Sequence, residues 1–346
     1  MIASAPTCAE RKKPMTDITV EQNDLRSVPA RRKFTDPDRT AKGETRAQVA
    51  FERLETLWFN TGSLCNIQCL NCYVESSPAN DALVYIAAGE VAAFLNEIAE
   101  LNLGTREIGF TGGEPFMNPD MIEMADDALR RGHEVLILTN AMQPMQRKRV
   151  KAGLLDLHSR YGAQITLRVS LDHYTEKLHE TERSPRSWGR ALQGMDWLAG
   201  HGFRITIAGR TCWNEDEALA RRGYAKLIEA HGWAIDADDP AQLVLFPEMD
   251  GAADVPEITE SCWGILGQSP ADIMCATSRM VVKRKGDERA SVVPCTLLPH
   301  DTAFEMGLTL TQSFTAHGGM FDRGAVKLCH RNCAKFCVLG GASCSG

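Results

Sequence analysis

Short apolar runs alternate with longer stretches of helical period through the middle of this chain. The run Thr56-Leu57-Trp58-Phe59-Asn60 reads as a first strand, and after Gly89 the positions Val91, Phe94, Leu95, Ile98 and Leu101 recur at helical spacing. Further strands are expected at 106–110, 134–139, 164–171, 203–208 and 242–246, with helices at 119–131, 147–160, 187–200 and 215–230 between them. Strands alternating with amphipathic helices predict parallel βαβ units. Six such units make an α/β fold, a partial (β/α)6 TIM-like barrel. Ligands in such folds sit at the carboxyl ends of the strands. That rule selects Asn140 after the third strand, Ser170, Asp172 and His173 after the fourth, Arg210 and Asn214 after the fifth, and Glu248 after the sixth.

The loop after the first strand carries Cys65, Cys69 and Cys72, spaced Cys-x3-Cys-x2-Cys. Structural zinc normally takes four ligands as paired Cys-x2-Cys knuckles, and no second knuckle follows within the next hundred residues. Thiolates are also the natural ligands of iron–sulfur clusters, and a cubane needs four to be closed. Three thiolates would leave one iron open, the condition that separates a reactive metal site from a structural one.

One unit later, strand 106–110 runs into Thr111-Gly112-Gly113-Glu114-Pro115. Two glycines let backbone pass close to a ligand, and the proline stiffens the exit from the turn. Together, the three cysteines and the Gly-Gly-Glu-Pro turn resemble the radical S-adenosylmethionine (SAM) superfamily. The resemblance implies that Cys65, Cys69 and Cys72 hold a 4Fe-4S cluster whose open iron is chelated by the methionine amino and carboxylate groups of SAM. It further implies that the backbone of Gly112, Gly113, Glu114 and Pro115 lines the methionine amino group. Ser170 would then contact the SAM carboxylate or ribose, and Asn140 the ribose unless it only ends its strand. Asp172 would either contact SAM or cap the following loop. Arg210 would either clamp a carboxylate through its planar fork or make a surface salt bridge. His173, Tyr174 and His179 are read as loop residues open to substrate, with no catalytic role assigned. One position departs from the family pattern: the residue before the third cysteine, usually aromatic and packed near the adenine, is Asn71.

Seven of the twelve cysteines fall in the last quarter of the chain, Cys262, Cys275, Cys295, Cys329, Cys333, Cys337 and Cys344. A small glycine-rich tail is poorly stabilised by apolar burial alone, so a metal staple is expected. The segment from Cys275 through Gly286 to Cys295 resembles the hairpin opening of the SPASM or twitch extensions of that superfamily, with a longer turn. The resemblance implies at least one auxiliary 4Fe-4S cluster, drawing its ligands from Cys275, Cys295, Cys329, Cys333, Cys337 and Cys344. Three parts are therefore expected: a mostly disordered segment 1–50, a radical SAM partial barrel 51–254 and a cysteine-rich auxiliary domain 255–346.

Charge and composition narrow the partners. The first fifty residues carry ten Lys/Arg against seven Asp/Glu, which leaves the remainder at −10 out of a total of −7. An acidic body argues against a nucleic-acid substrate, whose phosphates call for basic surfaces. No apolar run approaches the length of a membrane span. No hydrophobic signal segment is visible, so metal ligation is expected over disulfides and a cytoplasmic setting over a secreted one. What the resemblance implies overall is a radical SAM oxidoreductase. A flavodoxin or ferredoxin-type donor would reduce its cluster, SAM would be cleaved to a 5′-deoxyadenosyl radical, and a peptide or small-molecule substrate would lose hydrogen. The alternative is a non-catalytic iron–sulfur protein for electron transfer or sensing on the same scaffold.

Overall fold

The computed structural model describes residues 32–211, 213, 215–247 and 254–340. Its centre is an eight-stranded sheet. In chain order the elements are β1 (Gln48–Val49), β2 (Thr56–Asn60), α1 (Ala88–Glu100), β3 (Glu107–Thr111), α2 (Met121–Arg130) and β4 (Glu134–Thr139). There follow α3 (Gln143–Gln146), α4 (Lys148–Tyr161), β5 (Ile165–Ser170), α5 (Glu176–Arg183), α6 (Trp188–Gly200), β6 (Arg204–Thr211), α7 (Glu217–His231) and β7 (Leu243–Pro247). After the barrel come β8 (Ser278–Val282), β9 (Ser291–Val293), β10 (Phe321–Asp322) and β11 (Ala325–Lys327).

The sheet order is β7-β6-β5-β4-β3-β2-β8-β9, parallel from β7 to β8, with β9 antiparallel at the edge. All six expected strands are present, and the barrel is open. Every residue of β2 is buried, as expected of a parallel strand covered on both faces. Alternate residues serve different cores. Leu57 and Phe59 pack with Val91, Phe94 and Leu95 of α1 in the helix-side core. Trp58 joins Leu136, Met280 and Phe336 in a second core on the other face. The carboxy-terminal lobe thus packs against the inner face of the open barrel.

Two boundaries differ from the sequence reading. Residues 32–50, expected to lack order, are tied into the second lobe: Gln48 and Val49 pair antiparallel with Lys327 and Val326. Arg46 meets Glu257 at 2.6 Å with both side chains buried. Residues 1–31 lie outside the described residues. The hairpin expected between Cys275 and Cys295 is present as β8 and β9, yet β8 extends the barrel sheet beside β2. The helix α5 was not anticipated.

Candidate functional site

The carboxyl ends of the strands enclose a cavity whose wall carries all three loop cysteines, Cys65, Cys69 and Cys72. Gly112 and Gly113 after β3, Asn140 after β4, Ser170 at the end of β5 and Arg210 on β6 line the same cavity. Glu114 and Pro115 sit behind this wall, buried at the start of a short turn, and Asp172 lines an adjoining cavity.

Close backbone contact explains the two glycines. The Gly113 N–H donates to the Gly62 carbonyl at 2.8 Å and the Glu114 N–H to the Leu64 carbonyl at 3.2 Å. Gly112 holds φ at +136°, and a Cβ on Gly113 would lie 2.1 Å from the Leu64 oxygen. Only glycine permits this approach of the turn to the cysteine loop. The Glu114 carboxylate, 1 % exposed, accepts from Thr139 Oγ1 and the Asn140 N–H at 2.8 Å each, and from the Phe116 N–H at 3.3 Å. It locks the turn to the end of β4. Burial outweighs these bonds and pushes its carboxyl up to about 7.

A second brace comes from α5. The Leu70 N–H donates to the Glu182 carbonyl at 2.7 Å, and Asn71 Nδ2 donates to both Glu182 carboxylate oxygens at 3.0 and 3.1 Å. Ser184 Oγ donates to the Gln68 carbonyl at 2.9 Å. Asn71, which replaces the usual aromatic residue, is therefore engaged by α5. The last residue of α5, Arg183, lines the cavity between the cysteines and Asp172. Its Nε lies 2.9 Å from Asp172 Oδ2, and its Nη2 donates to Oδ1 at 3.0 Å. Arg210 Nε lies 3.4 Å from Asp172 Oδ1, and its Nη2 donates to the Asn71 carbonyl at 3.0 Å.

These contacts give the residues their partners within the chain. Arg210 is buried, which removes the surface salt bridge, and Asp172 is an ion-pair centre between two guanidinium groups. Arg183 was missed because the segment carrying it has no apolar stripe: its buried positions are His179 and Glu182. His179 lies on this helix against Trp188. His173 and Tyr174 both meet Glu215, at 3.2 and 2.5 Å, and pack on each other, outside the two cavities described here. Asn214 and Glu248 lie outside the described residues.

The thiols suit an iron–sulfur cluster. Among the described residues no three Cys, His, Asp or Glu side chains converge on one ion position. A cubane offers each thiolate its own iron, so three thiolates need not meet at one point to hold it. Donors face the sulfurs: the Ser76 N–H lies 3.3 Å from Cys72 Sγ and Asn140 Nδ2 3.9 Å from Cys65 Sγ. Burial, with Glu114 adding to it, pushes the Cys65 thiol up to about 12, and burial raises Cys69 against the pull of Arg183. Metal loading must therefore displace protons from these thiols.

In the second lobe Cys275, Cys295, Cys329 and Cys333 are buried and Cys337 is half-buried. Cys275 precedes β8 and Cys295 follows β9, while Cys333 and Cys337 share the π-helical turn Cys333–Val338. Burial, then the neighbouring Cys295 and Cys275, raises the Cys333 thiol well above its ordinary value, and burial takes Cys275 up to about 11. Cys344 lies outside the described residues. Leu297 and Phe336 of this lobe close the adjoining cavity, which shares Tyr73, Leu138, Ser170, Arg183 and Arg210 with the first. The two cavities thus adjoin, and Leu297 and Phe336 belong to the same buried core as Cys275, Cys295 and Cys333.

Residues 59–220 match the family model described as the Radical SAM superfamily. The antilisterial bacteriocin subtilosin biosynthesis protein AlbA of Bacillus subtilis is 29% identical over 145 residues, which are 42% of this chain and 30% of that protein. A GTP 3′,8-cyclase of Rhodococcus opacus is 36% identical over 181 residues, 45% of this chain and 51% of that one. The chain thus spans from about a quarter to about a half of the length of the curated relatives it matches. Among solved structures, Streptococcus suis SuiB bound to S-adenosylmethionine aligns with a TM-score of 0.55 at 13% identity. That alignment covers 77% of this chain and 66% of SuiB, and it shows a shared fold.

Proposed function

We propose, from the match of residues 59–220 to the Radical SAM superfamily model, that this chain is an enzyme of that superfamily that reductively cleaves SAM and removes hydrogen from a peptide or small-molecule precursor. The observation that carries the reading is the cavity in which Cys65, Cys69 and Cys72 face Gly112, Gly113, Arg183 and Arg210, the two arginines being paired with Asp172 of the adjoining cavity. When bound, a cluster with one open iron and its SAM would supply the 5′-deoxyadenosyl radical.

The chain's own residues supply placement and charge. Cys65, Cys69 and Cys72 would hold three corners of the cluster. Gly112 and Gly113 leave backbone bare beside it. Two guanidinium groups share one carboxylate, so a single positive charge remains for an anion such as the methionine carboxylate. Ser170 offers a hydroxyl to that carboxylate or to the ribose, and Asn140 an amide to the ribose. Leu138, Phe246, Leu297 and Phe336 provide apolar wall in the adjoining cavity, which we assign to substrate. Exclusion of water there protects a reactive intermediate. Cys275, Cys295 and Cys333, with Cys329, Cys337 or Cys344 completing the set, would hold an auxiliary cluster. A flavodoxin or ferredoxin-type protein would deliver the electron. The relatives' names support both substrate classes, a bacteriocin peptide for one and GTP for the other.

The test is anaerobic reconstitution with iron and sulfide, addition of SAM and dithionite, and quantification of 5′-deoxyadenosine. Product from the wild type and none from Cys65→Ala/Cys69→Ala/Cys72→Ala is expected. Full cluster loading without SAM binding would refute the reading.

A further inference from the structure

The second lobe buries two arginines and treats them differently. Arg46 is matched by the Glu257 carboxylate at 2.6 Å. Arg279, on β8, is 0 % exposed and has no such match. Its Nη1 donates to the Cys275 and Ser278 carbonyls at 2.7 Å each and its Nη2 to the Gly324 carbonyl at 3.1 Å. The Phe51 ring lies 4.2 Å from the guanidinium carbon. Among the described residues no Asp or Glu pairs with it, and the ionisable groups that it faces are the thiols of Cys275 and Cys295.

Carbonyl dipoles and a ring face soften the burial of a cation but do not neutralise it. A buried charge normally has a partner of opposite sign, because taking it from water is costly. Among the described residues that partner is supplied only as sulfur, and thiols become anionic when they ligate metal. We propose that Arg279 is the built-in counter-cation of the auxiliary iron–sulfur cluster ligated by Cys275, Cys295 and Cys333, and that it raises this cluster's reduction potential. This rests on the auxiliary-cluster reading above. Reduction adds one negative charge to the cluster. A fixed cation in a low-dielectric interior stabilises the reduced form more than the oxidised one.

The experiment uses the full chain carrying Cys65→Ala/Cys69→Ala/Cys72→Ala, so that only the auxiliary cluster is loaded. Its potential is measured by redox titration followed by electron paramagnetic resonance. Arg279→Gln is expected to favour the oxidised form at least tenfold, about 59 mV lower for one electron, while Arg279→Lys stays near the parent. Equal iron loading with an unchanged potential in Arg279→Gln would overturn the proposal and leave Arg279 as a brace for three carbonyls. Cluster-free stability provides the second measurement. A counter-cation without its anion predicts that Arg279→Gln is at least as stable as the parent before loading, and loss of folding would again identify a brace. Absence of an iron–sulfur signal from the parent would remove the auxiliary cluster itself, which is a separate failure.

Discussion

Replacing Asp172 by alanine removes the one carboxylate shared by the buried Arg210 and the largely covered Arg183 guanidinium groups. That carboxylate lies 2.9 and 3.0 Å from Arg183 and 3.4 Å from Arg210. At an effective dielectric near 20, each pair at roughly 3 Å is worth about 5 kcal/mol of gross attraction, much of it offset by the desolvation of both partners. Deleting one partner forfeits the attraction and keeps the desolvation, so about 3–5 kcal/mol of stability should be lost. Urea denaturation of cluster-free protein, followed by circular dichroism, measures this. Arg183→Met should cost less, because Asp172 keeps Arg210. The double variant Asp172→Ala/Arg183→Met should cost less than the sum of the singles. The pH dependence has a defined sign. Burial pushes the Asp172 carboxyl up, but Arg183 and Arg210 outweigh it and hold the group below its ordinary 3.8. Its stabilising contribution is therefore complete above that value and disappears only as pH falls through the lower folded-state value. The difference between wild type and Asp172→Asn should stay constant from about pH 7 to 5 and shrink only in stronger acid. A loss below about 1 kcal/mol for Asp172→Ala, the range of an exposed pair, would refute the buried-network account.

Other changes test separate parts of the structure. Glu114, raised to about 7 from 4.5, should make cluster-free protein lose stability as pH rises between those values, and Glu114→Gln should abolish that slope in pH-resolved urea titrations. Gly113→Ala places a Cβ 2.1 Å from the Leu64 carbonyl oxygen, a backbone clash that no rotamer relieves. It should cost about 3 kcal/mol or less and deplete iron from the cysteine loop while sparing the second lobe, as read by iron analysis and electron paramagnetic resonance. Cys275→Ser/Cys295→Ser/Cys333→Ser should remove about four irons per chain and leave those of the Cys65–Cys72 loop in place. Unchanged iron content would exclude these three as cluster ligands.

The parts of the fold that follow one period over many residues were legible in the chain. Each strand of the open barrel is a short apolar run, and helices such as α2 present an apolar stripe, so pattern alone places them. The cysteine loop and the glycine turn were legible for another reason, since their chemistry is concentrated in a few adjacent residues. What escaped was contact made by polar residues at long range. The helix α5 buries His179 and Glu182, and its last residue faces Asp172, so neither its existence nor its use registers in an apolar period. Asn71 looked like a lost aromatic contact when read alone. Beside Glu182 it is a tether, one of three places where α5 or the residue after it grips the loop between Gln68 and Asn71. The same holds for Arg279: in the chain it is one basic residue in an apolar strand, and its solitude appears only when the fold surrounds it with carbonyls and sulfur. Both cysteine-rich regions thus carry enclosed arginines, two sharing one carboxylate beside the Cys65–Cys72 loop and one set among carbonyls and thiols in the second lobe, and that difference in charge balance separates their electrostatic environments.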